Sequence, residues 1–279
     1  MGSGSIAPDG RRGAFECTAV GTSLSSLWLV DLERGDAQPL EASRQGAAPV
    51  FSPDGTTIAY TSDDDQGRQN LWALRPDRPG SAYRLRRMDG YFQTCVGWAP
   101  DGSGLLVRTQ GTTTRQDLVF VTLADTAVHV VCGTEANEPV GAISPDGRSL
   151  AYVTDESGRN EVRVCRFPEA QGAATVVSRG AYCNPNAASR IGLPVWRRDG
   201  RELLYVAADG RTLMVVDVTP GDPPRFGEPR PLFRLGGAVA DVAASADLER
   251  FVLSITIEEE GRSAASLLLN WPRLLETAK

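Results

Sequence analysis

Histidine and lysine are almost missing from this sequence of 279 residues, which contains one of each, His129 and Lys279. A single histidine excludes a metal site built from several imidazoles, and it leaves only His129 as the base of a Ser-His-Asp arrangement. His129 lies in an alternating apolar segment with no GxSxG nucleophile motif beside it. We therefore predict no catalytic residue, no metal ligand and no cofactor.

A surplus of positive charge is also missing. The chain has 35 acidic and 29 basic residues, a formal net charge of −6, and its arginines are dispersed through predicted loops and turns. Nucleic-acid binding requires a basic surplus or a basic stripe, so a nucleic-acid partner is not predicted. The pairs Arg86-Arg87 and Arg197-Arg198 are interpreted as solvated loop charges.

Long apolar runs and leader-like features are absent from the sequence. No segment approaches the 18 or so continuous apolar residues that span a bilayer, and the start Met1–Ser5 lacks the basic and apolar regions of a signal peptide. Direct membrane insertion is not predicted. The chain as it stands is expected to be cytoplasmic, or periplasmic if an upstream signal or membrane segment has been removed.

The five cysteines show no framework for disulfides or zinc. They are odd in number, irregularly spaced and without a CxxC pair, at positions 17, 95, 132, 165 and 183. A thiol in a strand behaves as a small buried hydrophobe, so we predict structural roles and a reducing compartment. A bridge from Cys95 or Cys183 to another thiol is the alternative.

A tight turn around Asp recurs six times at nearly even intervals. The Asp residues of these turns are separated by 45, 47, 45, 53 and 48 residues. A period of roughly 40 to 50 residues with several short strands per unit is typical of propeller blades. The turns are Ala7-Pro8-Asp9-Gly10, Ser52-Pro53-Asp54-Gly55, Ala99-Pro100-Asp101-Gly102, Ser144-Pro145-Asp146-Gly147, Arg197-Arg198-Asp199-Gly200 and Ser245-Ala246-Asp247-Leu248.

Short runs of β-branched and aromatic residues flank each turn, as in Thr57–Tyr60 and Asn70–Leu74. An inner strand precedes the turn and a weaker fourth strand ends each unit. The sequence therefore predicts an all-β fold, a six-bladed β-propeller of four-stranded antiparallel blades around a central channel. The whole chain, 1–279, is predicted to be one domain, with blades at about 1–40, 46–85, 93–132, 138–178, 192–235 and 238–279.

The turn residues are explained by backbone chemistry. Pro presets φ at the first corner, Asp caps its own turn, and Gly accepts positive φ. The Asp residues are therefore predicted to be structural. The same phrases, Phe51–Gly55 through Trp72 and Ile143–Gly147 through Val162, resemble the WD-like repeats of TolB-type β-propellers. This resemblance covers essentially the whole chain and implies a six-bladed propeller.

The C-terminal segment Ser266–Leu275 is similar to the last blade of propellers that end bacterial serine/threonine kinases and some winged-helix regulators. This similarity implies the sensor part of a larger protein. Because only a few residues precede the first turn at Ala7, we expect a stub of inner strand in the first blade. The seam between the first and last blades is then expected to be the least protected part of the fold.

We predict a recognition site on the face opposite the Asp turns, where the longest connection, 178–194, and other loops converge. Aromatic, arginine and amide side chains are typical of binding hot spots. The alternative is a long loop packed over its own blade. The predicted ligand-binding residues are Tyr91, Phe92, Gln93, Arg115, Tyr182, Asn184, Asn186 and Arg190.

The predicted function is non-enzymatic recognition or scaffolding by a monomer that binds a protein, a peptide or a small ligand. The alternative is a channel-centred hydrolase or lyase, acting on a carbohydrate or lactone with carboxylates and with or without Ca²⁺. The oxygen-rich turn Asp63-Asp64-Asp65 is a possible calcium loop, but the more economical interpretation is a solvated hairpin tip. The acidic run Glu258–Glu260 is interpreted as an exposed hairpin tip, with partner binding as the alternative.

Overall fold

The computed structural model describes residues 3–18, 24–40, 45–64, 67–87, 93–110, 116–169, 174–183, 194–256 and 263–269. These residues form six antiparallel sheets, each built from strands that are consecutive in the sequence. We number the sheets 1 to 6 in chain order. No helix in these ranges is long and apolar enough to cross a membrane.

Sheets 1 to 3 each contain four strands. Sheet 1 consists of β1 (Gly4–Ile6), β2 (Arg12–Thr18), β3 (Ser25–Asp31) and β4 (Ala37–Pro39). Sheet 2 consists of β5 (Gly46–Phe51), β6 (Ile58–Asp63), β7 (Gln69–Leu74) and β8 (Tyr83–Arg86). Sheet 3 consists of β9 (Gln93–Trp98), β10 (Gly104–Thr109), β11 (Asp117–Thr122) and β12 (Val128–Cys132).

Sheets 4 to 6 differ in strand number. Sheet 4 consists of β13 (Gly141–Ile143), β14 (Ser149–Thr154), β15 (Glu161–Arg166) and β16 (Thr175–Val176). Sheet 5 consists of β17 (Val195–Trp196), β18 (Glu202–Val206), β19 (Thr212–Thr219), β20 (Arg225–Phe226) and β21 (Arg230–Arg234). Sheet 6 consists of β22 (Ala238–Ala244), β23 (Arg250–Thr256) and β24 (Ser263–Leu269).

The predicted all-β propeller with four-stranded antiparallel blades is confirmed, but the predicted number of six such blades is wrong. Five sheets have four or more strands, whereas sheet 6 has three strands in the described part of the chain. A fourth strand could pair only along the outer edge of β24, and none of the described residues does so. The described residues therefore form five complete blades and one three-stranded sheet.

Sheet 5 also departs from the simple pattern. Both β20 and β21 pair with the long strand β19, β20 with its end at Val218–Thr219 and β21 with its start at Thr212–Val215. The outer strand of this blade is thus split by the segment between Phe226 and Arg230.

The core is divided into six apolar clusters between neighbouring sheets. The largest joins sheets 4 and 5, where Val140, Val162 and Leu203 are fully or almost fully buried. Sheet 6 meets sheet 1 through a cluster whose described buried members are Phe15, Leu32, Ala243 and Val252. Because each blade buries both faces, its strands alternate little between apolar and polar residues.

The Asp turns are hydrogen-bonded within themselves, as the sequence predicts. Asp54 accepts from the Ser52 hydroxyl at 2.5 Å and from the backbone N–H of Thr56 at 3.0 Å. The Ser52 bond is the main reason that the pKa of Asp54 is lowered. In the sixth turn Leu248 takes the place of Gly and keeps a φ of 58°, with its side chain 5% exposed. A non-glycine residue is held in this left-handed conformation because its side chain packs in the core.

Candidate functional site

The inner strands converge on a central channel, and the Asp turns surround one of its mouths. We call this side the Asp-turn face. The opposite side carries the loops between the second and third strands of each sheet and the connections between sheets, and we call it the loop face. At the Asp-turn face the channel widens into a cavity of about 510 Å³. All six sheets contribute to its wall, chiefly through Ile6, Phe51, Trp98, Ile143, Val195, Trp196 and Ala244.

The two tryptophans of this cavity have their polar edges bound to neighbouring sheets. Trp98 Nε1 donates to the carbonyl oxygen of Val50 at 3.1 Å, and Trp196 Nε1 donates to that of Ala142 at 3.0 Å. These indole N–H groups therefore hold adjacent inner strands together. Since both indole N–H groups are hydrogen-bonded to backbone carbonyls, the tryptophans present only apolar surface to the cavity.

The mouth at the Asp-turn face is ringed by apolar residues and one cation, Arg198. The residue before each turn Asp lines the cavity, and across the six turns these residues are Pro8, Pro53, Pro100, Pro145, Arg198 and Ala246. The Arg198 side chain is exposed, and no other described residue forms an ion pair or hydrogen bond with its guanidinium. Its backbone N–H donates to the Ala246 carbonyl at 2.6 Å, which fixes the position of the residue.

Asp199, the carboxylate next to Arg198 in the sequence, is already paired with another arginine. Asp199 forms an ion pair with Arg197, and the hydrogen bond from Arg197 is the main reason that the pKa of Asp199 is lowered to about 2. Arg197 also contacts Glu202 at 3.0 Å. Arg198 is therefore left with its charge available to a ligand in the cavity.

The polar groups toward the loop face are mostly buried. Arg108 is 8% exposed and its guanidinium donates to the Thr94 hydroxyl at 2.8 Å. Burial lowers the pKa of Arg108, and Cys183 lies close enough to oppose that shift. This arrangement ties β9 to β10 within sheet 3.

A second polar group surrounds Glu138, at the connection between sheets 3 and 4. Thr134 donates to Glu138 Oε1 at 2.5 Å, whereas Glu138 Oε2 is buried with no hydrogen-bond donor in the described structure. Asn137 binds both oxygens of Asp155, at 2.8 and 2.6 Å. Burial is the main cause that raises the pKa of Glu138 to about 7, and the negative charges of Asp117 and Asp155 add to it. Glu138 therefore holds its proton close to neutral pH.

Neither this group nor the turn at Asp63 forms a metal centre in the described ranges, where no three His, Cys, Asp or Glu side chains have the geometry to hold an ion. Asp64 is instead committed to Arg68, whose Nε and Nη2 atoms donate to it at 2.9 and 2.8 Å. Asp65 lies outside the described residues, as do Glu258–Glu260.

Two of the eight predicted ligand-binding residues are described, and both are part of the packed fold. Gln93 begins β9, is 2% exposed, and its backbone N–H donates to Gln69 Oε1 at 3.0 Å. Tyr182 donates its backbone N–H to the Val206 carbonyl at 2.9 Å and packs against Gly210. The remaining predicted residues, Tyr91, Phe92, Arg115, Asn184, Asn186 and Arg190, lie outside the described part of the chain.

Sequence reasoning missed Arg198, which it interpreted as a solvated loop charge. The available signal was positional: when the six turns are aligned on Asp, Arg198 occupies the place of Pro in four turns and of Ala in one. His129 lies on β12, the outermost strand of sheet 3, and is exposed. It has no place in the channel.

Comparison with solved structures supports the fold. The chain is similar to a TolB-type protein from Agrobacterium tumefaciens, with a TM-score of 0.66, 15% identity and coverage of 95% of this chain and 88% of that one. It is also similar to TolB from Acinetobacter baumannii, with a TM-score of 0.61, 18% identity and coverage of 83% of this chain and 54% of that one. The fold is therefore a TolB-like β-propeller.

Comparison of sequences is less informative. No family model matches the chain. A segment of 106 residues, 36% of this chain, is 29% identical to the uncharacterised peptidase YuxL of Bacillus subtilis (strain 168), and it spans 16% of that protein. These matches give no support to the resemblance with kinase propellers, and residues 270–275 of that resemblance lie outside the described ranges.

Proposed function

We propose that the chain is a non-enzymatic recognition propeller that binds a protein or peptide segment at the Asp-turn mouth of its channel. The ligand carries an apolar side chain next to a carboxylate. The observation behind this proposal is the 510 Å³ apolar cavity with Arg198 as the single cation of its rim. Sheet 6 acts in this proposal as a sixth blade, because Ala244 and Ala246 complete the cavity wall.

The size of the cavity favours a side chain or a peptide end over a folded domain. Cavities of roughly 300 to 1,000 Å³ hold ligands of small-molecule size. The walls formed by Phe51, Trp98 and Trp196 would gain about 25 cal/mol for each Å² of apolar ligand surface that leaves water. Arg198 would add direction, because a guanidinium binds a carboxylate through two parallel hydrogen bonds.

The test uses a random peptide library with free C-termini as the probe, followed by affinity measurements on the selected peptides. Arg198→Glu is expected to weaken their binding by about tenfold or more, because a charge-assisted bond is replaced by repulsion. Arg201→Glu is the matched control: it makes the same charge change two residues beyond Asp199, outside the cavity wall. It should change affinity by less than about threefold.

Equal effects of the two substitutions would contradict the proposal. So would selected peptides that bind equally well after their carboxylates have been converted to amides.

The predicted loop-face residues define a second proposed partner surface. Tyr182 packs in the core between sheets 5 and 6, so Tyr182→Ala would perturb the fold as well as any ligand contact. Arg190→Glu is the cleaner variant. A protein partner captured at this face should lose affinity with Arg190→Glu and keep it with Arg198→Glu.

A channel-centred hydrolase is the second candidate function, and Glu138 is the residue that favours it. A carboxylic acid with a pKa near 7 can donate a proton to a leaving group at neutral pH. Glu138 is only 1% exposed, which is unfavourable for contact with a substrate. Turnover of nitrophenyl glycosides or a lactone that disappears with Glu138→Gln would favour the enzyme over the recognition propeller.

A further inference from the structure

A groove leads outward from the channel mouth between sheets 4 and 5. It consists of three cavities of about 290, 430 and 590 Å³, and each shares wall residues with the next. The first also shares Pro145, Trp196 and Arg198 with the 510 Å³ cavity of the Asp-turn face. Pro224 lines all three cavities, and the third has β16 and β20 in its walls. We call these three cavities the blade 4–5 groove.

The walls of this groove suit an extended chain. On the side of sheet 5 the wall is the turn 220–224 between β19 and β20, which contains three prolines. Proline fixes φ and has no backbone N–H, so this turn presents a stiff surface with few donors. At the outer end, β16 and β20 are each the last strand in the pairing order of their sheets. Such edge strands can bind the backbone of an extended peptide.

The acidic side chains in the wall of the groove already have partners within the protein. Asp146 accepts from the Ser144 hydroxyl at 2.6 Å and from the backbone N–H of Arg148 at 3.1 Å, inside its own turn. The other three acidic side chains form ion pairs with arginines. These pairs are Asp199 with Arg197, Asp222 with Arg166 and Glu228 with Arg179. The carboxylates of the groove are therefore balanced by groups of the chain itself.

Positive charge, by contrast, is left over in each of the three cavities. Arg198 lines the first, Arg148 the second and Arg225 the third, and all three residues are exposed. Among the described residues, none forms an ion pair or hydrogen bond with these three guanidinium groups. The groove is thus locally positive on a chain whose formal net charge is −6. Guanidinium groups bind carboxylates through charge-assisted hydrogen bonds, so the groove is complementary to an acidic chain.

We propose that the blade 4–5 groove binds an extended acidic peptide segment, which precedes the carboxylate held by Arg198. This inference rests on the proposed function, in which Arg198 binds that carboxylate at the channel mouth. The segment leaves the mouth between sheets 4 and 5 and places acidic side chains at Arg148 and Arg225. At the outer end its backbone lies beside the edge strands β16 and β20. The groove thereby gives the recognition site a preference for acidic sequences.

The test measures the affinity of two labelled synthetic peptides of about eight residues that end in Leu with a free carboxylate. In the Glu peptide the positions before the end alternate Glu and Ser, and in the Gln peptide Gln replaces each Glu. The wild type is expected to bind the Glu peptide about tenfold more tightly than the Gln peptide. Arg148→Glu and Arg225→Glu should each weaken binding of the Glu peptide by about fivefold and change that of the Gln peptide by less than about twofold.

Arg84→Glu is the matched control, because Arg84 is an exposed arginine on β8, the outer strand of sheet 2, and is not part of the groove. It should change either affinity by less than about twofold.

Equal affinities of the two peptides for the wild type would overturn the groove proposal, and so would equal effects of Arg148→Glu and Arg84→Glu. Absence of binding by the Glu peptide would do the same. If Arg198→Glu still weakens both peptides when the groove variants do not, the proposed function at the channel mouth stands without the groove. Binding of the Glu peptide that depends on Arg148 and Arg225 but not on Arg198 would contradict the proposed function and support the groove as a site of its own.

Discussion

Glu138 makes the stability of the protein depend on pH. Its pKa is about 7 in the folded protein against an ordinary value of 4.5, so the folded state keeps a proton that the unfolded state has released. Stability is therefore greatest below about pH 4.5 for this group and falls as pH rises toward 7, by about 2–3 kcal/mol in all. Urea unfolding of Glu138→Gln at pH 5 and pH 8 should show a smaller difference than the wild type.

The matched control for this prediction is Glu135→Gln, an exposed carboxylate three residues away. It should leave the pH dependence of unfolding as it is in the wild type. If both variants behave alike, Glu138 is not the group that titrates.

Gly104 lies where a side chain would clash with its neighbours, whereas Gly102 adopts a positive φ that favours glycine. A Cβ on Gly104 would lie 2.4 Å from Phe120 Cζ and 2.5 Å from the Val121 carbonyl oxygen. Because β10 and β11 would have to separate, Gly104→Ala should cost about 2–4 kcal/mol of unfolding free energy. A Cβ on Gly102 meets nothing within 4 Å, so Gly102→Ala pays only for its φ of +74°, about 1 kcal/mol.

Chemical denaturation of both alanine variants measures this difference within one turn. Equal losses of unfolding free energy in the two variants would show that the contact with Phe120 adds nothing to the cost of an alanine at Gly104.

At the scale of elements, tryptophans attach one blade to the next. Trp196→Phe removes the hydrogen bond to the Ala142 carbonyl between sheets 5 and 4. Trp72 offers a matched control, because its buried Nε1 has no acceptor within the described structure. Trp196→Phe should therefore lower the free energy of unfolding by about 1–2 kcal/mol more than Trp72→Phe. A larger loss in Trp72→Phe would mean that ring packing outweighs the hydrogen bond.

Most strands could be predicted because each is bounded by a turn whose residues prescribe its geometry. The pair Ile58–Asp63 and Gln69–Leu74, for example, follows directly from the turn at Asp54. The split outer strand of sheet 5 could not be predicted, because its two parts are short and are specified by pairing with β19.

The site was harder to predict, because its chemistry depends on contacts between distant segments. The surface position of Arg198 follows from the turn, but its place in an apolar ring requires all six inner strands. The raised pKa of Glu138 depends first on burial and then on the charges of Asp117, which begins β11, and of Asp155, which follows β14. The sequence predicts Tyr182 as an aromatic residue of the binding loop, yet its ring packs against Gly210.

At the scale of the whole molecule, the junction between sheets 6 and 1 is closed by a short inner strand and by long-range hydrogen bonds. β1 has three residues, Gly4–Ile6, and among the side chains that the structure describes four are buried between sheets 6 and 1. Gly4 N–H donates to Asp241 at 2.9 Å, and Arg250 donates to the Gly10 carbonyl at 2.7 Å. These two bonds compensate in part for the short strand.

Amide hydrogen exchange should therefore begin at this junction. Peptides covering β1 and β22 are expected to exchange earlier than those covering β10 and β14, because fewer buried contacts must break to open them. Arg250→Ala should accelerate exchange in β1 and leave β14 unchanged, since it removes the bond that joins the sixth turn to Gly10. Uniform protection across all six sheets would contradict this prediction and would mean that the ring opens only as a whole.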